Sequence, residues 1–240
     1  MKEDKRFKGK LSDDYDLFSK VSLHEDEIQD TVATAIKKYF ANRNQETINV
    51  LELGSGTGLT TSVILNSDNR TVVTAVDNEE SMMKQIKEKM KEDVARGRVK
   101  PIKEDCLEYL KKAKGNSFDA FASAWTLHNF KKDYRKLVLK EIYRVLRRGG
   151  LFINADKYAL DDPKEQKKES ESHIARFAEF ERLGRPDLKE KWTQHYLEDE
   201  KPEIIMIEAQ AKSEMKEIGF VNIETVYRKS INATITAEKH

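Results

Sequence analysis

What most constrains this chain is an alternation of two kinds of segment. From position 47 onward, short apolar runs rich in β-branched residues take turns with charged stretches whose apolar residues recur every three or four positions. INVLEL (48–53), TVVTAV (71–76), RVKPI (98–102), FDAFASAW (118–125) and LFINAD (151–156) read as strands. LTTSVIL (59–65) has helical character, and 79–95 is a long charged helix with Met83, Ile86, Met90 and Val94 on one face. A further helix surrounds Leu107 to Leu110, and another spans 132–147 with Leu137, Val138, Ile142, Val145 and Leu146 inward, stopped by Gly149 and Gly150. Strands joined through helices give a parallel sheet with helices on both faces.

Two segments flank this pattern. Before it, 25–40 places Ile28, Val32, Ile36 and Tyr39 or Phe40 on one stripe, the spacing of an amphipathic helix. After it, 161–203 is about half charged, yet Phe177, Phe180, Leu188, Trp192 and Tyr196 recur at helical spacings, which predicts a helical cover. A helix over 203–218 stops at Gly219, and FVNIETVY and INATITA, separated by Arg228 to Ser230, read as an antiparallel pair added to the sheet edge. The expected organisation is an N-terminal helical cap (1–44), a core (45–160), a helical insert or lid (161–203), and a terminal helix and strand pair that complete the core (204–240).

Charge and cysteine usage bear on partners and compartment. Lys plus Arg total 44 against 43 for Asp plus Glu, a formal charge of +1, so no net field draws the chain to a polyanion. Cys106 is the single cysteine, which excludes an intrachain disulfide and a cysteine zinc cluster and suits a reducing compartment. The opening MKEDKRFKGK has no apolar stretch behind its charges, and no run approaches the roughly 18 apolar residues of a membrane span. A cytoplasmic chain with no membrane segment is expected.

VLELGSGTG (50–58) joins the first strand of the core to its first helix. Gly54, Gly56 and Gly58 remove side chains where backbone approaches a ligand closely. A dinucleotide fingerprint G-x-G-x-x-G requires glycine at 59, where this chain has Leu59, and no G-K-[ST] lysine follows to cradle a nucleoside triphosphate. Asp77 ends the second strand about 20 residues further on, where an acidic side chain can hold both hydroxyls of a ribose. An adenosine-containing ligand is implied.

LELGSGTG and AVDNEESMM, followed in order by KEDCLEYL, FDAFASAWTLHNF and LRRGGLFINAD, resemble the motifs of the class I S-adenosylmethionine-dependent methyltransferases over about 45–155. The resemblance implies an α/β, Rossmann-like, doubly wound seven-stranded sheet, mostly parallel with an antiparallel last strand, and S-adenosyl-L-methionine as cofactor. By it, Glu52, Gly54 and Gly56 lie along the methionine part of the cofactor, with Ser55 in the same loop, and Asp77 grips the ribose. Asn78 and Met82 flank the adenine, Asp105 accepts from its amino group with Cys106 beside it, and Ala124 and Trp125 line the methionine side near the sulfonium. Tyr15 is the candidate for a tyrosine near the N-terminus that closes over the site in related enzymes. Beside these stand plainer readings: Asp105 as a helix N-cap, Met82 as core filler, Cys106 as a small buried residue.

Methyl transfer to a hydroxyl or a protonated amine requires a proton acceptor. His128, just past the fourth strand at the edge where parallel sheets place ligands, is the candidate, with a capping or packing role as the alternative. His24 and His195 read as exposed helix residues within reach of the site if a lid closes, and the set His24, Glu25, Asp26 and His195 has no ligand spacing, so no metal site is expected. The flanks look most like the branch that holds small-molecule methyltransferases and carboxy-S-adenosyl-L-methionine synthases of tRNA modification. A synthase needs a cation for the extra carboxylate of its product, but Gln194 stands where an arginine belongs, and Glu25 and Asp26 lie in the stretch that should supply a tyrosine. Methyl transfer to a small-molecule substrate is the reading this favours. A nucleic-acid methyltransferase would carry a basic patch interleaved with aromatics, which the balanced charge does not offer, so nucleic acid is not expected as a partner. A homodimer is compatible with the sequence, and a non-catalytic cofactor-binding module is the remaining class.

Overall fold

The structure is a computed structural model that describes Leu17, Phe18, Val21 and residues 25–240. Its strands are β1 (Ile48–Leu53), β2 (Thr71–Asp77), β3 (Val99–Lys103), β4 (Phe118–Ala124), β5 (Leu146–Lys157), β6 (Phe220–Lys229) and β7 (Asn232–Lys239). Its helices are α1 (Glu25–Phe40), α2 (Leu59–Ser67), α3 (Glu80–Lys89), α4 (Lys91–Ala95), α5 (Cys106–Lys112), α6 (Lys132–Val145), α7 (Pro163–Arg176), α8 (Ala178–Arg182), α9 (Pro186–Asp199) and α10 (Glu208–Ile218). The seven strands form one sheet in the order β3-β2-β1-β4-β5-β7-β6. β1 to β5 pair in parallel, while β7 runs antiparallel to both β5 and β6. Strand order reverses between β1 and β4, the switch point at which open α/β sheets bind ligands beyond their carboxyl ends.

Period-two alternation sends successive side chains to opposite faces. On one face Val50, Val73, Ala120 and Ala122 meet α1, α2 and α3; on the other Leu51, Leu53, Phe121 and Phe152 meet α5, α6 and α10. Every residue of β4 is buried, as a central strand covered on both sides requires. The stripe Ile28, Val32, Ile36 and Phe40 is buried as its spacing predicts, each such side chain contributing about 1.5–3 kcal/mol of transfer free energy. A separate apolar cluster, Phe177, Phe180, Leu188, Trp192 and Tyr196, ties α7, α8 and α9 together and touches Val21 and Ile231. Asp162 caps α7 by accepting from the N–H groups of Lys164 and Glu165.

Differences from the sequence reading fall at element ends. The helix expected over 132–147 ends at Val145; Leu146 opens β5, and Gly149 and Gly150 lie inside that strand, near a register shift against β4 between Phe118 and Ala120, instead of stopping a helix. Leu137 is 40% exposed, and Tyr134 and Leu139 join Val138, Ile142 and Val145 on the inward face. The long helix over 79–95 breaks at Met90 into α3 and α4. The terminal helix starts at Glu208 and not at 203, because Ile204 is buried in a turn closed on Lys201 O and Met206 is buried in the irregular chain that follows, with Ala159 bridged to Ile207. Among the described residues no helix is long and apolar enough to cross a membrane.

Candidate cofactor and acceptor site

β1 leaves the sheet at Gly54. The N–H groups of Gly54 and Ser55 donate to Val76 O at 2.8 and 3.2 Å, which folds the loop onto β2. Gly54 has φ +68°, and a Cβ there would lie 2.0 Å from Thr126 Oγ1, so the segment after β4 is what forbids a side chain at this position. At Gly56, φ is +53° and a Cβ would project into open space, the room a ligand needs. Asp77 closes the cradle: Oδ2 accepts from Gly56 N–H and Oδ1 from Glu79 N–H, both at 2.9 Å. The ribose candidate is thus already aimed by the loop it would share with the cofactor. Burial raises the Asp77 carboxyl above the usual carboxylate range, and these N–H donors pull the other way. Asn78 follows in the turn into α3.

Glu52 lies beneath the loop with no solvent exposure. Its Oε2 accepts from Thr61 Oγ1 at 2.6 Å, and its Oε1 has no partner among the described residues. Desolvation pushes its carboxyl up to about 8. A buried carboxylate oxygen without a donor is a site for a cation or an N–H group. On α3, Met83 packs into the core, whereas Met82 is buried but stands outside the packed clusters. Asp105 caps α5: Oδ1 accepts from Leu107 N–H at 3.0 Å and Glu108 N–H at 3.1 Å, and also from the Tyr134 hydroxyl at 2.9 Å. Cys106 is buried in the core as the first residue of that helix.

Past Ala124, Trp125 adopts φ +53°, the left-handed region that a tryptophan rarely occupies. Its N–H donates to Ala155 O at 3.0 Å, and its indole Nε1 is buried without a partner among the described residues. A short 3₁₀ turn, Leu127–Asn129, then presents His128. Asp156 at the end of β5 holds this histidine twice, through the His128 backbone N–H to Oδ2 at 3.2 Å and by Oδ1 lying 2.5 Å from Nδ1. That pairing leaves Nε2 toward the pocket. Buried Arg135 fastens the turn by donating to Phe130 O at 3.1 Å and to Ile204 O at 2.8 Å. The pocket has about 660 Å³ of empty space, partly open to solvent, with Trp125, His128, Phe177, Trp192, His195 and Tyr196 in its lining.

The structure therefore joins Gly54, Ser55, Gly56 and Asp77 in one cradle and puts Trp125 and His128 on a second wall. Tyr15 and His24 lie outside the described residues. His195, expected on an exposed helix face, is buried, because the inward stripe of Trp192 and Tyr196 turns it the same way; Gln194 is the exposed neighbour. Sequence reasoning missed Asp156, Lys157 and Asp199. Signals were present: Asp156 is a carboxylate ending an apolar run, and Asp199 follows His195 by one helical turn.

A mostly parallel sheet with a glycine loop and an acidic residue at its switch point is the arrangement in which doubly wound α/β proteins place a nucleotide ligand. Residues 50–150 match the model of the family described as "Methyltransferase domain". A demethylmenaquinone methyltransferase of Leptospira interrogans is 31% identical over 116 residues, 48% of this chain and 45% of that protein, so the chain spans about half the length of the curated relatives it matches. Among solved structures, the CurJ carbon methyltransferase aligns over 93% of this chain and 58% of its own with TM-score 0.67 and 18% identity. PigF, solved with SAH, aligns over 84% of this chain and 53% of its own with TM-score 0.57 and 15% identity. Over residues 50–150 the chain is therefore similar to the methyltransferase-domain family, and it shares the fold of these solved methyltransferases.

Proposed function

We propose that the chain transfers a methyl group from S-adenosyl-L-methionine to a small, flat acceptor bearing an ionisable group, in the cytoplasm. The observation that carries this reading is the juxtaposition of two half-sites, the Gly54–Gly56 loop with Asp77 and the aromatic pocket with His128, joined where Thr126 packs on Gly54. The curated relative described as a demethylmenaquinone methyltransferase supports a small-molecule acceptor, and the SAH in the PigF structure supports the cofactor.

When bound, the cofactor supplies a methyl group already activated by its sulfonium. The chain's own residues do the rest. Asp77 accepts from ribose hydroxyls, Glu52 offers its orphaned Oε1 to a cationic group, and Asn78, Met82 and Asp105 edge the adenine end. Ser55, Cys106 and Ala124 contribute through the backbone at those turns. Trp125, Phe177, Trp192 and Tyr196 hold a ring by stacking and exclude water, an alignment contribution of up to about 7–11 kcal/mol when geometry nears attack. His128 takes the acceptor's proton on Nε2, and Asp156 stabilises the imidazolium that results. Tyr15 is the residue proposed to close over the bound cofactor.

Radiolabelled methyl transfer to a panel of phenols, catechols and hydroquinones tests this. His128→Asn should lose about 10²–10⁴-fold in kcat while S-adenosylmethionine affinity stays within about twofold. Full turnover in that variant would remove the base role from His128.

A further inference from the structure

We propose that His128, His195 and Asp199 form a binding site for one divalent transition-metal ion at the floor of the acceptor pocket. The three come from the turn after β4 and from α9, and all are buried. Their candidate ligand atoms lie within 4.8 Å of one another. His128 Nε2 is 3.8 Å from Asp199 Oδ2, and His195 Nε2 is 4.0 Å from Asp199 Oδ1. Ligands held at about 2.0–2.2 Å from a tetrahedral ion are about 3.3–3.5 Å apart, so each atom needs to move by less than about 1 Å. Two imidazoles and one carboxylate suit zinc-type and ferrous-type ions, whereas magnesium and calcium select sets of oxygens.

The surroundings add two independent observations. Asp156 Oδ1 at 2.5 Å from His128 Nδ1 makes the carboxylate–histidine pair that aims a metal-binding Nε2 and fixes its tautomer. The second is the convergence of carboxylates on this floor, Asp156 on His128 and both Asp199 and Glu200 on Lys157. Lys157 lies 3.5 Å from Asp199 Oδ2 but 3.0 Å from Glu200 Oε1, so it keeps a partner when Asp199 turns to the ion. Three protein ligands leave a coordination position toward the aromatic pocket, where an oxygen of the acceptor is the ligand it would take. The inference rests on the pocket of the proposed function but not on methyl transfer, because His128 Nε2 holds either a proton or the ion.

The test is titration of the chelator-treated 240-residue chain with Co²⁺, followed by its visible ligand-field absorption and by the metal content after desalting. The expected result is one equivalent bound, displaced by Zn²⁺ and indifferent to Mg²⁺. His195→Gln and Asp199→Asn should each weaken Co²⁺ binding by at least about 100-fold, and Asp156→Asn by about 10–100-fold. His240→Ala, at the exposed end of the chain, should leave it unchanged. Melting of each metal-free variant confirms that it folds, and its S-adenosylmethionine affinity should match wild type. No saturable Co²⁺ binding, or binding that survives both His195→Gln and Asp199→Asn in folded protein, overturns the site. Either result leaves methyl transfer by His128 standing, whereas loss of cofactor binding with Co²⁺ binding retained sinks the methyltransferase reading alone.

Discussion

At Glu52, burial and an unanswered oxygen make a prediction about protons. Its carboxyl titrates near 8 in the folded chain against an ordinary 4.5, so the folded state binds this proton more tightly than the unfolded state does. Stability is therefore highest below the ordinary value and declines as pH rises from 4.5 to about 8, because only the unfolded state ionises over that window. A cationic group brought against Oε1 favours the charged form and lowers the pKa. Cofactor binding near neutrality should then release about one proton, read by calorimetry in two buffers of different ionisation enthalpy. Glu52→Gln should release less by nearly that proton and should also flatten the pH dependence of stability. Equal release in both proteins would show that Glu52 does not meet the cofactor's charge. Asp105 carries the opposite lesson, since its capping bonds to Leu107 and Glu108 are what its place before a helix predicts, while the Tyr134 hydroxyl on the same oxygen is a contact that only folding supplies.

Among the elements, α7, α8 and α9 share an apolar cluster that also takes in Val21 and Ile231, and we propose that they open as a unit. Phe180 is fully buried in it, and Phe180→Ala should cost about 3–5 kcal/mol locally. Hydrogen exchange should then quicken across 163–199 and turnover should fall, while protection in β1 and β2 and S-adenosylmethionine affinity hold. Protection lost equally in both regions would make the insert integral to the core. What could be read beforehand divides along the same line. The helical stripes of α1 and α9 and the glycine loop are written in contiguous residues, and spacing alone exposes them. The end of α6 and the start of α10 depend on contacts remote in sequence, such as Arg135 holding Ile204 O. The acceptor pocket depends wholly on such contacts: His128 meets Asp156 across 28 positions, and α9 brings His195 and Asp199 from further still.

For the whole molecule, sheet order does the assembling. β1 pairs with β2 on one side and β4 on the other, so the cradle and Trp125 open on the same edge. β4 pairs with β5 with Ala124 opposite Ala155, which puts Trp125 beside the strand end that bears Asp156. The central claim is that this edge binds S-adenosylmethionine through Asp77. The most direct measurement is calorimetric titration of the wild type and Asp77→Ala with S-adenosylmethionine, S-adenosylhomocysteine and NAD. The account predicts stoichiometric binding of the first two and none of NAD, with about ten- to hundredfold weaker binding in Asp77→Ala at unchanged secondary structure. Binding of NAD in place of S-adenosylmethionine, or full affinity in the variant, would contradict it.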